Sequence, residues 1–257
     1  MDYIIICAAA FLTSGLTLFS GFGLGTLLMP MFALFFPIEI AIAMTAIVHL
    51  LNNLFKLGLL GKFADKTVVL RFGIPAIFSA YLGAVLLNKL SDLQPLFTYQ
   101  LFGNNYHILP VKLIIALLMI LFALFEILPR LKKVSFKKKL LPFGGILSGF
   151  FGGLSGHQGA LRSAFLLRYG LTKEAFIATG VVIACIIDVS RMIGYSSRIL
   201  TANLQENMLL LTMAVLSAFL GAYLGRRLLK KITMEIVQII VSILLFLIAI
   251  GLGTGII

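Results

Sequence analysis

The chain has 257 residues, 61% of them apolar and 12% charged, with 21 Lys or Arg against 9 Asp or Glu, and a mean hydropathy of +1.11. A soluble domain carries roughly twice that charged fraction, so a soluble enzyme is excluded, as is a single-anchor protein, because no stretch is left to build a soluble domain. The net charge of +12 does not call for nucleic acid, since the basic residues fall mostly in short links between apolar segments, as the positive-inside rule expects of a polytopic membrane protein.

In chain order, Met1-Asp2-Tyr3 lacks the basic start of a cleavable signal peptide, so the first apolar segment is expected to be retained. From Tyr3 to Ile38 there is no formal charge. As one helix this stretch would be about 54 Å long, too much for an untilted span. Gly21, Gly23 and Gly25 interrupt it. Apolar spans follow at 38–60, 68–88 and 109–129, each close to the ~30 Å of a hydrocarbon core. The link 130–139 holds six basic residues in ten and is placed in the cytoplasm. A second long apolar stretch, Leu140 to Leu167, is broken by Gly152, Gly153, Gly156 and Gly159. Spans at 173–195, 207–229 and 233–254 complete the chain.

Glycine clusters break helices, so each long stretch is read as two short arms, forming one unwound span or a re-entrant hairpin. The order of broken stretch plus three spans occurs at 3–129 and again at 140–254. Gly15 pairs with Gly145 and Ala41 with Ala175, an offset of about 130 residues. The expected fold class is an all-α polytopic membrane protein of two homologous halves, 1–129 and 140–257, joined by the linker 130–139. Treating the broken stretches as single spans puts 12 basic residues inside and 8 outside; treating them as hairpins gives 16 against 4. The sharper split favours hairpins, six crossings and inverted repeats with both termini outside.

Unwound backbone in a membrane is tolerated only in protein or beside a watery cavity, and exposed helix N-termini and glycine nests attract anions. Two breaks at matching positions favour a site over simple small-residue packing. The candidates are Gly21, Gly23 and Gly25 in the first break, with Gly153, Ser155, Gly156, His157, Gln158 and Gly159 in the second. Arg162 supplies a bidentate fork for an oxyanion; its structural alternative is a pair with Asp188. In the span at 38–60, His49, Asn52 and Asn53 are polar residues in an apolar helix. His49 is either a hydrogen-bonded packing residue or a group that couples transport to protons. Asp188 and Arg191 share one helix face, three residues apart, and either neutralise each other or join the site. Lys56 and Lys112 read as span-end anchors that snorkel. Cys7 and Cys185 read as buried small hydrophobes. Gly153-Leu154-Ser155-Gly156 matches the GxSG pattern of rhomboid intramembrane proteases, but no histidine follows His157 to act as base on a later span. No zinc motif, phosphate-binding loop or cysteine pair at metal spacing is present, so neither catalysis nor a cofactor is expected.

Gly21-Phe-Gly23-Leu-Gly25 followed by Pro30, and Gly149-Phe-Phe-Gly152-Gly153-Leu-Ser-Gly156-His-Gln-Gly159-Ala-Leu-Arg162-Ser, resemble the two glycine-rich signatures of the TauE/SafE sulfite-exporter family. The resemblance extends over nearly the whole chain. It implies a multi-pass transporter of a bacterial-type inner membrane, with members linked to export of sulfite, sulfoacetate and related sulfur-containing or organic anions. This chain departs from the signatures at Leu24, at His157-Gln158, and in lacking a second-half match to Pro30. The expected function is export of a small anion by alternating access at a mid-membrane site. The alternatives are a proton- or cation-coupled importer, a passive channel and an intramembrane serine protease. Expected partners are the anion, the lipid bilayer and, in the coupled alternative, a proton, with homo-oligomerisation left open.

Overall fold

The structure is a computed structural model that describes residues 2–20, 24–128, 135–201, 204–228 and 234–257. Eleven α-helices are seen among the described residues: α1 (Asp2–Ser20), α2 (Leu24–Ala33), α3 (Ile38–Leu60), α4 (Lys66–Ser91), α5 (Pro110–Ile127), α6 (Leu141–Ser155), α7 (Gly159–Leu166), α8 (Lys173–Gly194), α9 (Ser196–Thr201), α10 (Leu204–Leu228) and α11 (Met234–Thr254). Their ends follow local chemistry. The Asp65 carboxylate accepts from Val68 N at 2.9 Å and starts α4, Thr172 caps α8 through Ala175 N, and Pro110 opens α5, where its missing N–H costs nothing.

The stretches Ile38–Phe63, Lys66–Ser91, Lys173–Gly194 and Asn207–Leu224 are long and apolar enough to cross a membrane; Pro110–Phe125 and Val241–Thr254 are shorter apolar helices among the described residues. On α4 the residues Leu70, Ile74, Phe78 and Leu82 are 52–67% exposed. They form one stripe at a spacing of four, as suits a lipid-facing surface. The opposite face, through Phe72, Ala76 and Ala80, is fully buried. The expected all-helical chain has one exception. Link residues 97–108 form an antiparallel hairpin of β1 (Phe97–Leu101) and β2 (Asn104–Ile108).

Helix directions settle the nature of the second break. Gly145, Gly149 and Gly153 of α6 lie against Phe72, Ala76 and Ala80 of α4 in the same order, so the two helices run parallel. Helix α8 also runs parallel to α4: Asp65 N donates to Thr179 Oγ1, Ser190 Oγ to Ile77 O, and Asn88 Nδ2 to Gly194 O. With α6 and α8 pointing the same way, α7 must return the chain. It does so, since Phe136 N donates to Ala164 O at 3.3 Å and the Phe136 and Phe165 rings stack at 4.1 Å. The pair α6–α7 is therefore a re-entrant hairpin that enters and leaves on the face carrying residues 135–139. In the first half α1 stops at Ser20 and α2 starts at Leu24; Gly21 and Gly23 lie outside the described residues, as do linker residues 130–134.

Helix α3 runs opposite to α8, with His49 beside Asp188 while Asp65, just past the end of α3, meets Thr179. Helices α5 and α11 are likewise antiparallel, for Lys112 Nζ donates to Ile257 O at 2.8 Å and Tyr99 OH to Thr254 O at 2.7 Å. Residues 254–257 thus lie on the β-hairpin's face, opposite the linker. At two helix pairs a main-chain oxygen stands where a side chain would begin. A Cβ on Gly83 of α4 would overlap Phe150 O of α6, and one on Gly221 of α10 would overlap Phe11 O of α1.

Candidate functional site

Helix α6 ends because Gly156 adopts φ +80°, a left-handed conformation in which glycine lacks the Cβ penalty of other residues. The tip Gly156-His157-Gln158 then delivers the chain to α7. This tip meets the start of α2: a Cβ on Gly25 would stand 3.2 Å from Gly156 O and 3.6 Å from the Thr45 methyl of α3. Gly25, expected in the first break, thus lies in the first turn of α2, and the second break adjoins that turn inside the protein.

Beside them a polar cluster is built around Asp188, which is fully buried. Its Oδ2 lies 2.5 Å from His49 Nδ1 and 3.4 Å from Asn53 Nδ2. Its Oδ1 accepts from Arg191 Nε at 3.0 Å and from Gln158 Nε2 at 3.1 Å, and Arg191 Nη2 lies 2.8 Å away. The i,i+3 relation expected from sequence thus produces a direct ion pair, and Asp188 also ties the hairpin tip to α3. Arg191 Nη1 donates to Gly152 O at 3.3 Å.

Arg162 does not pair with Asp188 directly. Its Nη1 donates to Gln158 Oε1 at 3.3 Å, so the amide of Gln158 stands between the two charges. Arg162 is only 7% exposed, and among the described residues no carboxylate lies within ion-pair distance of it. Lys56 was expected to snorkel at a span end and is instead buried, 4% exposed. Three cationic side chains and one carboxylate are therefore buried among the described residues: Lys56, Arg162, Arg191 and Asp188.

The remaining candidates divide. Ser14 Oγ donates to Asn52 Oδ1 at 2.9 Å, while Asn52 Nδ2 is buried with no hydrogen-bond partner among the described residues. Gly153 lies inside α6 against Ala80 and its carbonyl accepts from Tyr195 OH, so the structure places it in helix packing. Gly159 opens α7. Ser155 Oγ donates to Phe151 O at 3.0 Å, and His157 Nδ1 donates to Ser155 O at 3.0 Å. A histidine protonated at Nδ1 cannot take the Ser155 proton through that nitrogen, although the two atoms are 3.3 Å apart. The same tautomer leaves His157 Nε2 as a buried acceptor without a partner among the described residues, while the ring stacks on Phe122 at 5.4 Å. Sequence reasoning did not single out Ser14, Thr45, Phe122 or Tyr195. Only the fully buried Tyr195, a phenol at the end of an apolar helix, carries a signal that pattern reading can find.

A family model described as "Sulfite exporter TauE/SafE" matches residues 6–252, including both glycine breaks and the cluster around Asp188. The chain belongs to the TauE/SafE family. Searches among curated proteins and solved structures found no match. As a TauE/SafE protein it is a multi-pass membrane transporter of the sulfite-exporter type, and its family implies a small anionic substrate and a lipid surround.

Proposed function

We propose that this TauE/SafE protein exports a small oxyanion, sulfur-containing or organic, from a binding site where the second glycine break adjoins the first turn of α2. The observation that carries the reading is Arg162: a buried guanidinium on the return arm of a re-entrant hairpin, bonded among the described residues to a neutral amide and to no carboxylate. Burying an arginine near the bilayer centre costs about 2.5–3.5 kcal/mol even on a lenient scale, and an anion offsets that cost while using the remaining N–H donors. Asn52 Nδ2 offers a further buried donor from α3. Gly25, Gly156 and Gly159 let main chain approach the anion. His49, Asn53, Gln158, Asp188 and Arg191 hold the cluster in shape, while Gly153, Ser155 and His157 belong to the walls.

Inverted repeats are the proposed basis of alternating access. The antiparallel course of α3 against α8 and of α5 against α11 supports this, because equivalent helices of inverted halves must point oppositely. So do the matched contacts Gly83–Phe150 and Gly221–Phe11, whose members are 138 and 139 residues apart. They align the halves at a larger offset than the pairing of Gly15 with Gly145. We place the linker in the cytoplasm of a cell with an inner membrane. With Lys56 and Arg191 counted as intramembrane, the basic residues divide 15 inside to 3 outside.

The membrane potential favours export, contributing about 2.3 kcal/mol per charge per 100 mV, so a dianion leaving across ~150 mV gains about 7 kcal/mol. The test is a thermal-shift and flux screen of the purified protein against sulfite, sulfate, thiosulfate, sulfonates and carboxylates. Charge-assisted hydrogen bonds of about 1.5–3 kcal/mol predict that Arg162→Ala weakens binding by about 10- to 150-fold. Arg162→Lys should recover only part of that loss. Near-normal affinity in both variants removes Arg162 from the site.

The His49–Asp188 contact favours a second reading, in which a proton moves with the anion. A histidine 2.5 Å from a buried carboxylate is a place where a proton can be held and passed.

A further inference from the structure

The β-hairpin between α4 and α5 has two unlike faces. Strand alternation and the observed register put Phe97, Tyr99, Leu101, Tyr106 and Ile108 on one face, with Asn104 as its only polar member. Thr98, Gln100, Asn105 and His107 form the other, where Thr98 Oγ1 and His107 Nδ1 lie 2.9 Å apart. Between Asp92 and Lys112 no Lys, Arg, Asp or Glu occurs. The apolar face is only partly used within the protein. Tyr99 and Tyr106 stack at 5.5 Å and Tyr99 bonds to the end of α11, but Leu96 is 64% exposed, Phe97 61% and Phe102 93%.

The tip is equally unusual. Phe102 and Gly103 have φ +50° and +81°, the pattern of a type I′ turn, whose first position ordinarily takes Asn, Asp or Gly. A fully exposed phenylalanine in left-handed backbone has no account in the folding of the hairpin itself. The hairpin's principal packing partner among the described helices is α11. It therefore stands over the α5–α11 pair, where the apolar Leu117, Leu121, Leu247 and Ile250 are 43–61% exposed, as suits a lipid-facing surface.

We infer that the hairpin is an interfacial anchor: Leu96, Phe97, Leu101 and Phe102 enter the lipid headgroup zone on the face opposite the linker, and the polar strand face meets water. Four observations select lipid as the occupant. The segment lacks charge, which would resist desolvation. Its Tyr99 bonds to the end of α11, and rings of this amphipathic kind are enriched where spans end at a bilayer interface. Its apolar strip continues the lipid-facing surface of α5 and α11. Its polar residues other than Asn104 and the two tyrosine hydroxyls lie on the other face. A two-sided amphipathic element at a span end is what interfacial binding requires.

The chain contains no tryptophan, so Phe102→Trp creates a single reporter in the otherwise native protein. Reconstituted in phosphatidylcholine vesicles, it should show blue-shifted emission, quenching by brominated phosphatidylcholine and shielding from aqueous acrylamide. Asn105→Trp, on the polar face, should be quenched by acrylamide several-fold more strongly. Phe97→Trp should behave as Phe102→Trp and serves if the tip variant does not fold. Acrylamide access without bromolipid quenching at both apolar positions overturns the inference. So does shielding that vanishes when the protein is diluted in lipid, which identifies a second copy of the chain as the occupant. Neither result bears on the anion site.

Discussion

At the scale of single residues, the site is governed by which buried charge stands beside which dipole. Asp188 is shared by His49, Asn53, Gln158 and Arg191, so its removal strands Arg191 in the interior at about 3–5 kcal/mol and reports on stability more than on transport. His49 is the cleaner probe. On the proton-linked reading, His49→Gln keeps anion binding within a few-fold but flattens the pH dependence of flux, measured in vesicles between pH 5 and 8. Unchanged pH dependence would leave His49 a packing residue. Arg162 differs from Arg191 in having the neutral Gln158 amide, not a carboxylate, as its partner. On the proposed function, that difference makes Arg162 the partner of a mobile anion, while Arg191 is committed to Asp188. The Asp188–Arg191 pairing was legible at i,i+3, whereas the sequence left Arg162 open between a substrate role and a pair with Asp188. The tertiary contact of Gln158 Nε2 with Asp188 resolves it, by placing the amide between Arg162 and the carboxylate.

At the scale of elements, helix contact in this protein is set by missing side chains. The α4–α6 seam runs through Gly83, Gly145, Gly149 and Gly153, and the α1–α10 seam through Gly221. With lipid on the outside, such seams depend on close van der Waals packing, since apolar burial supplies little drive between helices in a membrane. A methyl group at Gly83 or Gly221 meets main-chain oxygen that cannot swing aside. Gly83→Ala and Gly221→Ala should therefore each destabilise the folded state by about 1–3 kcal/mol, read as a lowered thermal transition in detergent. Gly58→Ala, with nothing within 4 Å of the added carbon, is the control. Residues 21–23 of the first expected break lie outside the described residues. The sequence foretold the break within residues 152–159, found at Gly156–Gln158, because clustered glycine disfavours helix. It did not foretell that Gly145, Gly149 and Gly153 mark a seam and Gly156 a turn, because glycine serves both ends and the partner helix is 65–75 residues away.

At the scale of the whole molecule, the re-entrant course of α6–α7 fixes the parity of the chain. Helices α8, α10 and α11 follow the hairpin and carry the chain to the face opposite the linker, where Ile257 meets Lys112. A reporter fused at the C-terminus should accordingly be extracytoplasmic and one inserted in the linker cytoplasmic. Finding both on one side would require the broken stretch to cross completely. The same parity puts the β-hairpin and the C-terminal residues on one face, so the proposed lipid anchor and the end of α11 share an environment.

The amino-acid sequence by itself determined that this chain lives in a bilayer, where its long apolar helices begin and end, and where those helices must break. These are consequences of hydropathy and backbone preference, which act over a few turns. The tertiary structure alone decided that the second break turns back, that Lys56 is interior, that Gln158 stands between Arg162 and Asp188, and that the loop before α5 is a hairpin. Each of those outcomes rests on a neighbour distant in the chain, and the free energy of burying charge or removing a methyl group depends on that neighbour rather than on local spacing.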